Sequence, residues 1–571
     1  MSEPVIVFRD FSFCYKSQQK DTLKNINLTI NKGEKVLILG PSGSGKSTLG
    51  NCINGLIPFS YEGKIKGSCK VAGIETREAN IFTLSGHVGT VQQDTDAQFI
   101  GLSVGEDIAF SLENDAVSRK IMLEKVEEAA TTVGMQEFIP EVPYDLSGGQ
   151  KQKVALAGVL HDDVDILLFD EPLAALDPAM GMTAVDLIDQ IHRNQKKTVL
   201  IIEHRLEDVL YRHVDRIILI ADGEVRLDTT PDELLRSDIL KSLGIREPLY
   251  ISALKNAGIT FGPQDHLEDI NAIDISRYQD KLRSHFEAGK PQLRKPHVSD
   301  EVILKAEHVS FSYGDVDALK DVSFEIHKGE RISVIGRNGA GKSTLAKLLC
   351  GIIRPQQGTI SFHGRNTAEF SIRELGRLIG YVMQNPNQML VKDMIRDEVE
   401  LAMKLNHCDE AEIQKSADDV LKMCDLYSMR NWPISVLSYG QRKRVTIASI
   451  LSLRPEIIIV DEPTAGQDYR HYTEIMGFLE KLNRDYGITI LFITHDMHLA
   501  IEYTDRSIVF TDGQLIADDY VFRVLSNEDI ITRANLKQTS LVQLAVKAGI
   551  DPEEFIHAFI EEERRNRESH E

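Results

Sequence analysis

The sequence predicts an α/β protein made of two tandem domains of like topology, joined by a helical linker and followed by a short helical tail. Three observations lead there: a long-range internal repeat, short β-branched runs alternating with polar helical stretches, and a glycine-rich turn that occurs once in each half. The repeat decides the organisation. Tyr15 aligns with Tyr313 and Lys32-Gly33-Glu34 with Lys328-Gly329-Glu330. Gly40 aligns with Gly336 at a spacing of 296 residues, and Gln93 with Gln384, Asp170 with Asp461 and His204 with His495 at 291. Kept order and kept spacing mean duplication.

Within the first half the strand-like runs are EKVLILG, DILLFDEP, TVLIIEH and RIILIADG; within the second they are RISVIG, EIIIVDEP, ITILFITHD and SIVFTDG. Continuous apolar runs of this length suit strands buried on both faces, so each half should hold a mostly parallel sheet with helices on both sides. Residues 1–235 and 301–525 are read as the two domains. Between them, 236–300 mixes helical patches with Gly262, Pro263, Gly289, Pro291 and Pro296, and reads as an accessory helical segment and linker. From 526 to 571 the runs LVQLAVKAG and EEFIHAFIEEERRNRESHE suggest short helices with a frayed, charged end.

The chain has 571 residues, enough for several cores, and its 42% hydrophobic and 27% charged composition is that of a folded globular protein. The net charge of −22 argues against a protein that coats nucleic acid, whose affinity would come from basic surface. The six cysteines are dispersed with no CxxC pair, so no zinc ribbon or iron–sulfur cluster is indicated, and a reducing compartment is the simplest setting. No secretory signal is visible, and no apolar run approaches the roughly 20 residues that span a bilayer. A membrane role would therefore need a partner.

The glycine-rich turns follow the pattern GxxxxGK[ST]: Gly40-Pro41-Ser42-Gly43-Ser44-Gly45-Lys46-Ser47-Thr48 and Gly336-Arg337-Asn338-Gly339-Ala340-Gly341-Lys342-Ser343-Thr344. Average residue usage predicts about 0.02 chance matches in such a chain, and both copies follow a strand and precede a helix. This is the P-loop pattern: backbone N–H groups wrap phosphate oxygens at a helix N-terminus, the lysine reaches the β- and γ-phosphates, and the serine hydroxyl ligates Mg²⁺. Asp170 and Asp461 each end a buried strand, where they can hold that metal opposite Ser47 and Ser343. Glu171 and Glu462 follow directly and are candidates to position or deprotonate an attacking water. His204 and His495 end later strands at one repeated distance from these glutamates, which favours a γ-phosphate contact over a structural role.

The chain at this point resembles the ATP-binding cassette (ABC) family over both halves. The diagnostic segments are Leu146-Ser147-Gly148-Gly149-Gln150 and Leu437-Ser438-Tyr439-Gly440-Gln441, the family's signature, each in order after a P-loop and a glutamine and before Asp-Glu-Pro. The resemblance implies ATP as the nucleotide and Mg²⁺ as its metal. It implies that Tyr15 and Tyr313 stack on adenine, with edge packing as the alternative. Gln93 and Gln384 would touch Mg²⁺ and sense a partner, and Asp177 and Asp468 would sit in the inter-domain loops. It further implies two composite ATP sites within one chain: Lys46, Glu171 and His204 with Ser438 and Gly440, and Lys342, Glu462 and His495 with Ser147 and Gly149. Nucleotide would then favour a closed state that hydrolysis releases. Both sites keep their glutamate, lysine, serine and histidine, so both are expected to hydrolyse, if unequally; Tyr439 in place of Gly148 marks an asymmetry or a tolerated variant.

Tandem cassettes without membrane spans serve transporters, or translation and DNA repair. A mixed linker, dispersed cysteines and no inserted zinc module argue against the latter; sugar-import ATPases are a nearer rival, but their second cassette usually departs from the catalytic pattern. The segments NGLIPFSYEGKIKG, VMQNPNQML, LSYGQRKRV and IIEHRLEDVL resemble energy-coupling factor ATPases of vitamin and metal importers. IIEHRLEDVL with EPTAGQD resembles the fused form linked to thiamine precursor uptake. That resemblance implies a transmembrane coupling protein, a small substrate-binding membrane protein, no cargo site in this chain, no nucleic-acid partner, and a peripheral place on the cytoplasmic face of the cell membrane. The coupling helix is expected at 93–110 and 384–401, on a groove of Phe99, Val104, Met389, Leu390 and Val391 edged by Glu106, Asp107, Asp397 and Glu398; an ordinary amphipathic surface is the alternative. Lys151-Gln152-Lys153 and Arg442-Lys443-Arg444 are read as local phosphate or helix-surface electrostatics rather than a nucleic-acid contact, and Trp432 as a packing residue.

Overall fold

The computed structural model describes residues 3–570 apart from 94–97, 147, 161–163, 175, 290–298 and 465–468. The chain forms two compact units, Met1–Tyr278 with a short stretch at 468–470, and Gln279–Gln467 with His471–Glu571. The expected Ser147 and Asp468, and the AGQD segment at 465–468, lie outside the described residues.

In the first unit the strands Lys35–Leu39, Thr198–Ile202, Ile166–Asp170 and Val88–Val91 pair in parallel, with Arg216–Ala221 on the other side of Lys35–Leu39 and the antiparallel Glu224–Thr229 at the edge. The second unit repeats this sheet with Arg331–Gly336 flanked by Thr489–Ile493 and Arg506–Thr511. The strands Lys35–Leu39 and Thr198–Ile202 are buried at every position, which is why each runs apolar without alternation after its first residue; those first residues, Lys35 and Thr198, are buried with partners in Asp189 and the Gly33 N–H.

Helices do not cover both faces alone. Each unit carries a second, antiparallel sheet of four strands, ordered Leu23–Asn31, Pro4–Tyr15, Gly63–Val71, Ile74–Glu75 in the first. Its inner residues Phe8, Phe11, Phe13, Ile26 and Ile30 join one core with Leu49, Cys52 and Ile53 of the helix Lys46–Ile53 and with Leu168 and Leu200 of the main sheet. The helix after the P-loop is thus held between two sheets, which fixes the loop at its N-terminus.

The segment 237–278 folds onto the first unit. The Leu249 N–H donates to Glu207 at 2.9 Å, those of Leu267 and Glu268 to Asp232 at 2.6 and 2.9 Å, and the Tyr250 hydroxyl to the Leu267 carbonyl at 2.5 Å. The next helix, Gln279–Ala288, belongs to the second unit and packs on the tail. Arg283 donates to the Ala548 and Gly549 carbonyls at 3.0 and 2.9 Å, and the Phe286 and Phe555 rings lie 4.2 Å apart. The tail is not frayed as its charge suggested. Pro552–His570 is one helix with Phe555, Ile556, Phe559 and Ile560 buried, and Arg564 pairs with Asp505 at 2.7 Å. Its apolar stripe supplies the burial that the charged run hides. Trp432, expected as packing, is 51% exposed, and the six cysteines are all free. No helix among the described residues is long and apolar enough to cross a membrane.

Candidate functional site

Each P-loop turns into its helix at a glycine in the left-handed region, Gly45 at φ 105° and Gly341 at φ 101°. A Cβ at Gly45 would lie 2.8 Å from a Leu23 methyl, so both space and backbone require glycine there. The two lysines curl over their loops. Lys46 donates to the Gly40 and Pro41 carbonyls, both at 2.9 Å, and Lys342 to those of Gly336 and Arg337 at 2.6 and 2.9 Å. Ser44 is buried and its hydroxyl has no hydrogen-bond partner among the described residues. A buried, unmatched donor beside a lysine and a helix N-terminus fits an incoming phosphate oxygen. Arg337 pairs with Asp512 at the rim of the second loop.

Around the first loop the expected residues come together. Ser47 donates to Asp170 at 3.1 Å, an oxygen pair that suits a hard divalent cation. Burial, with Glu171 adding to it, pushes the Asp170 carboxyl up to about 6. Glu171 sits in a left-handed backbone at φ 49°, its N–H bonded to the Ile202 carbonyl at 2.8 Å. One carboxylate oxygen meets His204 Nε2 at 2.9 Å and the other accepts from Gln93 Nε2 at 2.5 Å. Tyr15 is half-buried, shares a hydrogen bond with Thr48 at 3.1 Å and packs edge-on to Phe13 and Tyr61.

The second site differs in detail. Glu462 is again left-handed, at φ 43°, and meets His495 Nδ1 at 2.7 Å, but its other oxygen accepts from Thr494 at 3.3 Å. Asp461 accepts from the Tyr381 hydroxyl at 2.7 Å; its carboxyl too is pushed up by burial. Thr90 stands where Tyr381 does in the repeat and meets Asn54, while Asp170 accepts from Ser47 instead. Ser343 and Gln384 are exposed, as is Tyr313, which packs edge-on to Phe311.

Of the signature residues, Ser438 caps its helix: its hydroxyl accepts from the Gln441 N–H at 3.3 Å while the Gln441 side chain accepts from the Ser438 N–H at 3.0 Å. A Cβ at Gly440 would meet only the His471 ring, at an ordinary contact distance of 3.8 Å, whereas at Gly149 a Cβ would strike the Met180 side chain. Gly148, Gly149 and Gln150 open the helix Gly148–Leu160, and Asp177 caps the helix Pro178–Gln195 through the Met180 N–H at 2.9 Å.

Sequence reasoning passed over three groups. Glu203 is buried behind His204 and accepts from the Leu173, His204 and Arg205 N–H groups at 2.8, 2.7 and 3.1 Å; burial pushes its carboxyl up. Its signal was the acid in IIEH where the second half has a threonine. Tyr381 was visible only as a departure from Thr90. Lys443, read as surface charge, is 1% exposed and donates to the Gln384 and Glu462 carbonyls at 3.3 and 3.1 Å, burial pushing its ammonium down to about 8. Arg442 and Arg444 are engaged with Asn387 and Asp425.

The groove rim needs correction. Asp107 accepts from the Ile100 and Gly101 N–H groups at 2.9 and 3.1 Å, and Glu398, 3% exposed, from those of Val391 and Lys392 at 2.8 and 2.7 Å. These carboxylates brace their loops rather than edge a groove, and Phe99 and Val104 are buried. Within 93–110 and 384–401 the exposed large apolar side chains among the described residues are Ile100, Leu102 and Phe110 in one half and Val391 in the other.

A P-loop whose lysine curls over it and a strand-end aspartate followed by a glutamate held by histidine occur in both halves, with a buried orphan hydroxyl and a serine–aspartate pair in the first; this is the equipment of a nucleoside-triphosphatase. Sequence comparison gives the family. The ABC transporter family model matches residues 23–174 and 319–465, and a second model, described as an ATP-binding cassette cobalt transporter, matches 237–311. A relative from Clostridium perfringens, named as an ABC transporter ATP-binding protein, is 52% identical over 562 residues, 98% of each chain. Like-named relatives from Enterococcus faecalis and Vibrio vulnificus are 52% and 50% identical, covering 99% and 98% of this chain and 100% and 98% of theirs. The solved cbiO1 of Clostridium perfringens, described as part of the ABC transporter complex cbiONQ, covers 41% of this chain and 95% of its own at 34% identity with a TM-score of 0.38. The chain belongs to the ABC transporter family, with two fused nucleotide-binding domains; it is an ATP-binding transporter subunit and an ATPase.

Proposed function

We propose that this chain energises an energy-coupling-factor type importer of a micronutrient, and that it works on the cytoplasmic face of the membrane against a transmembrane coupling protein and a small cargo-binding membrane protein. The observation that carries this reading is the match of 237–311 to a model described as a cobalt transporter ATPase, because that span includes most of the accessory segment that the cassette model leaves uncovered. It favours a transition-metal cation as cargo over a vitamin or thiamine precursor. The cargo would bind the membrane proteins, not this chain.

In the mechanism proposed, Lys46 and Lys342 let go of their loop carbonyls to hold the β- and γ-phosphates, beside the loop N–H groups and, in the first half, Ser44. Ser47 with Asp170, and Ser343 with Asp461, would hold Mg²⁺, with Gln93 and Gln384 nearby; bound there, the ion would neutralise charge developing on the phosphates. Glu171 and Glu462 would take the proton of the attacking water, each oriented by the histidine it touches. Each P-loop would work with the other half's signature, Ser438 and Gly440 for the first site, Ser147 and Gly149 for the second. Tyr15 and Tyr313, each the last residue of an inner strand of its small sheet, would meet the adenine.

The coupling helix would dock on Ile100, Leu102, Phe110 and Val391, large apolar side chains left in water beside the two glutamine segments. The test is affinity purification of the chain from its native cells in mild detergent, with mass spectrometry of what accompanies it. Two small polytopic membrane proteins are expected. Ribosomal or DNA-repair proteins without a membrane partner would overturn the importer reading and leave the ATPase chemistry in place.

A further inference from the structure

The two halves differ behind their glutamine segments. In the second half Tyr439 and Lys443, one turn apart on the helix Tyr439–Leu451, both donate to the main-chain carbonyl of Gln384, at 3.0 and 3.3 Å. The same ammonium donates to the carbonyl of Glu462 at 3.1 Å. One buried cation therefore joins three pieces of chain: the signature helix, the glutamine segment and the end of the strand that carries Glu462. In the first half the matching positions are Gly148, which has no donor side chain, and Gln152, whose amide donates to the Pro172 carbonyl instead. Among the described residues no side chain donates to the Gln93 carbonyl; there the link runs through the Gln93 side chain to the Glu171 carboxylate.

We propose that Tyr439 and Lys443 are positioning residues forming a latch: they tie the second glutamine segment to its own signature helix and to the Glu462 main chain, so that displacing that segment moves signature and glutamate together. Among the described residues the first half has no such latch, and its link runs through the Gln93 side chain to Glu171. The two ATP sites thus respond differently to one push from outside, and the second half's signature is the one carried along. The latch rests on the geometry of this half; only the identity of what pushes on the segment rests on the importer reading.

Hydrogen exchange on the full chain tests it, comparing wild type with the double variant Tyr439→Phe/Lys443→Met, which removes both donors while keeping an apolar chain of similar length in the buried lysine's place. Amides of 385–392 should exchange about fivefold faster or more, the expected release of two hydrogen bonds, with first-half amides unchanged. ATP turnover should fall in kcat with KM within about twofold, because the residues act on Glu462 and not on nucleotide affinity. Unchanged exchange at 385–392, or an equal rise in both halves, overturns the latch, as does a loss confined to KM. With co-purified membrane proteins present, their stimulation of turnover should shrink about fivefold in the double variant; full stimulation would overturn the coupling role. Failure to capture any membrane protein counts against the importer reading alone, since exchange in the isolated chain still decides the latch.

Discussion

Glu171 and Glu462 share a left-handed backbone and a histidine partner, yet their second oxygens face different donors, Gln93 in one half and Thr494 in the other. Both keep what general-base chemistry needs. Single variants Glu171→Gln and Glu462→Gln should each lower phosphate release while leaving turnover from the other site, and the double variant should lose about a hundredfold or more. Full turnover in Glu171→Gln with none in Glu462→Gln would mean one working site. At this scale the P-loops, Asp170, Asp461 and both glutamates were legible, because phosphate chemistry demands fixed residue types at fixed spacings. Lys443 was not. A lysine between two arginines on a polar stretch reads as solvated, and only the packing of its helix against the Gln384 and Glu462 carbonyls shows it buried. The same blindness applied to Asp107 and Glu398, whose loop-bracing bonds depend on backbone turns that no spacing rule announces.

Among the elements, the parallel strands were read from their β-branched runs, whereas the antiparallel sheet Pro4–Tyr15 with Gly63–Val71 was not. Its outer face is polar and its pairing is broken by irregular register, so no clean alternation survives. The tail helix was read as frayed because its glutamates and arginines outnumber the five buried residues that hold it, Phe555, Ile556, Ala558, Phe559 and Ile560. Phe555 contributes a fully buried ring; Phe555→Ala should cost about 3–5 kcal/mol and lower the unfolding transition of the second unit in calorimetry. The tail also carries a pH response. His557 stacks on Phe522 at 4.4 Å, and burial holds its pKa below the usual 6.5. The neutral ring is the one that packs, so its contribution is complete above about pH 6.5 and is lost as pH falls through the lower folded-state value. His557→Gln should flatten that part of the stability profile, measured by denaturation between pH 5 and 7.

For the molecule as a whole, duplication was the most legible feature, because two copies of one pattern test each other. What it hid was divergence: the second half puts Tyr381, Tyr439 and Lys443 where the first has Thr90, Gly148 and Gln152, and each change rewires a contact. Docking on the membrane partners should depend on exposed apolar side chains. Leu102, 82% exposed, and Val391, 72% exposed, can take a charge without disturbing either core. Leu102→Asp with Val391→Asp should release the chain from membranes in a flotation assay while leaving ATP binding intact; retained flotation would remove these residues from the interface.

The pairing of the linker helix with the tail has a consequence in time. His285 meets Glu562 at 3.0 Å across 277 residues of sequence. A ribosome adding 5–20 residues per second takes about 15 to 55 s to supply that partner. All of the first unit but the short stretch at 468–470 is made by Tyr278, whereas Leu282 and Phe286 leave the exit tunnel with their burial site still unsynthesised. For that interval the nascent chain carries an apolar helix face whose cover arrives only with the last residues of the chain.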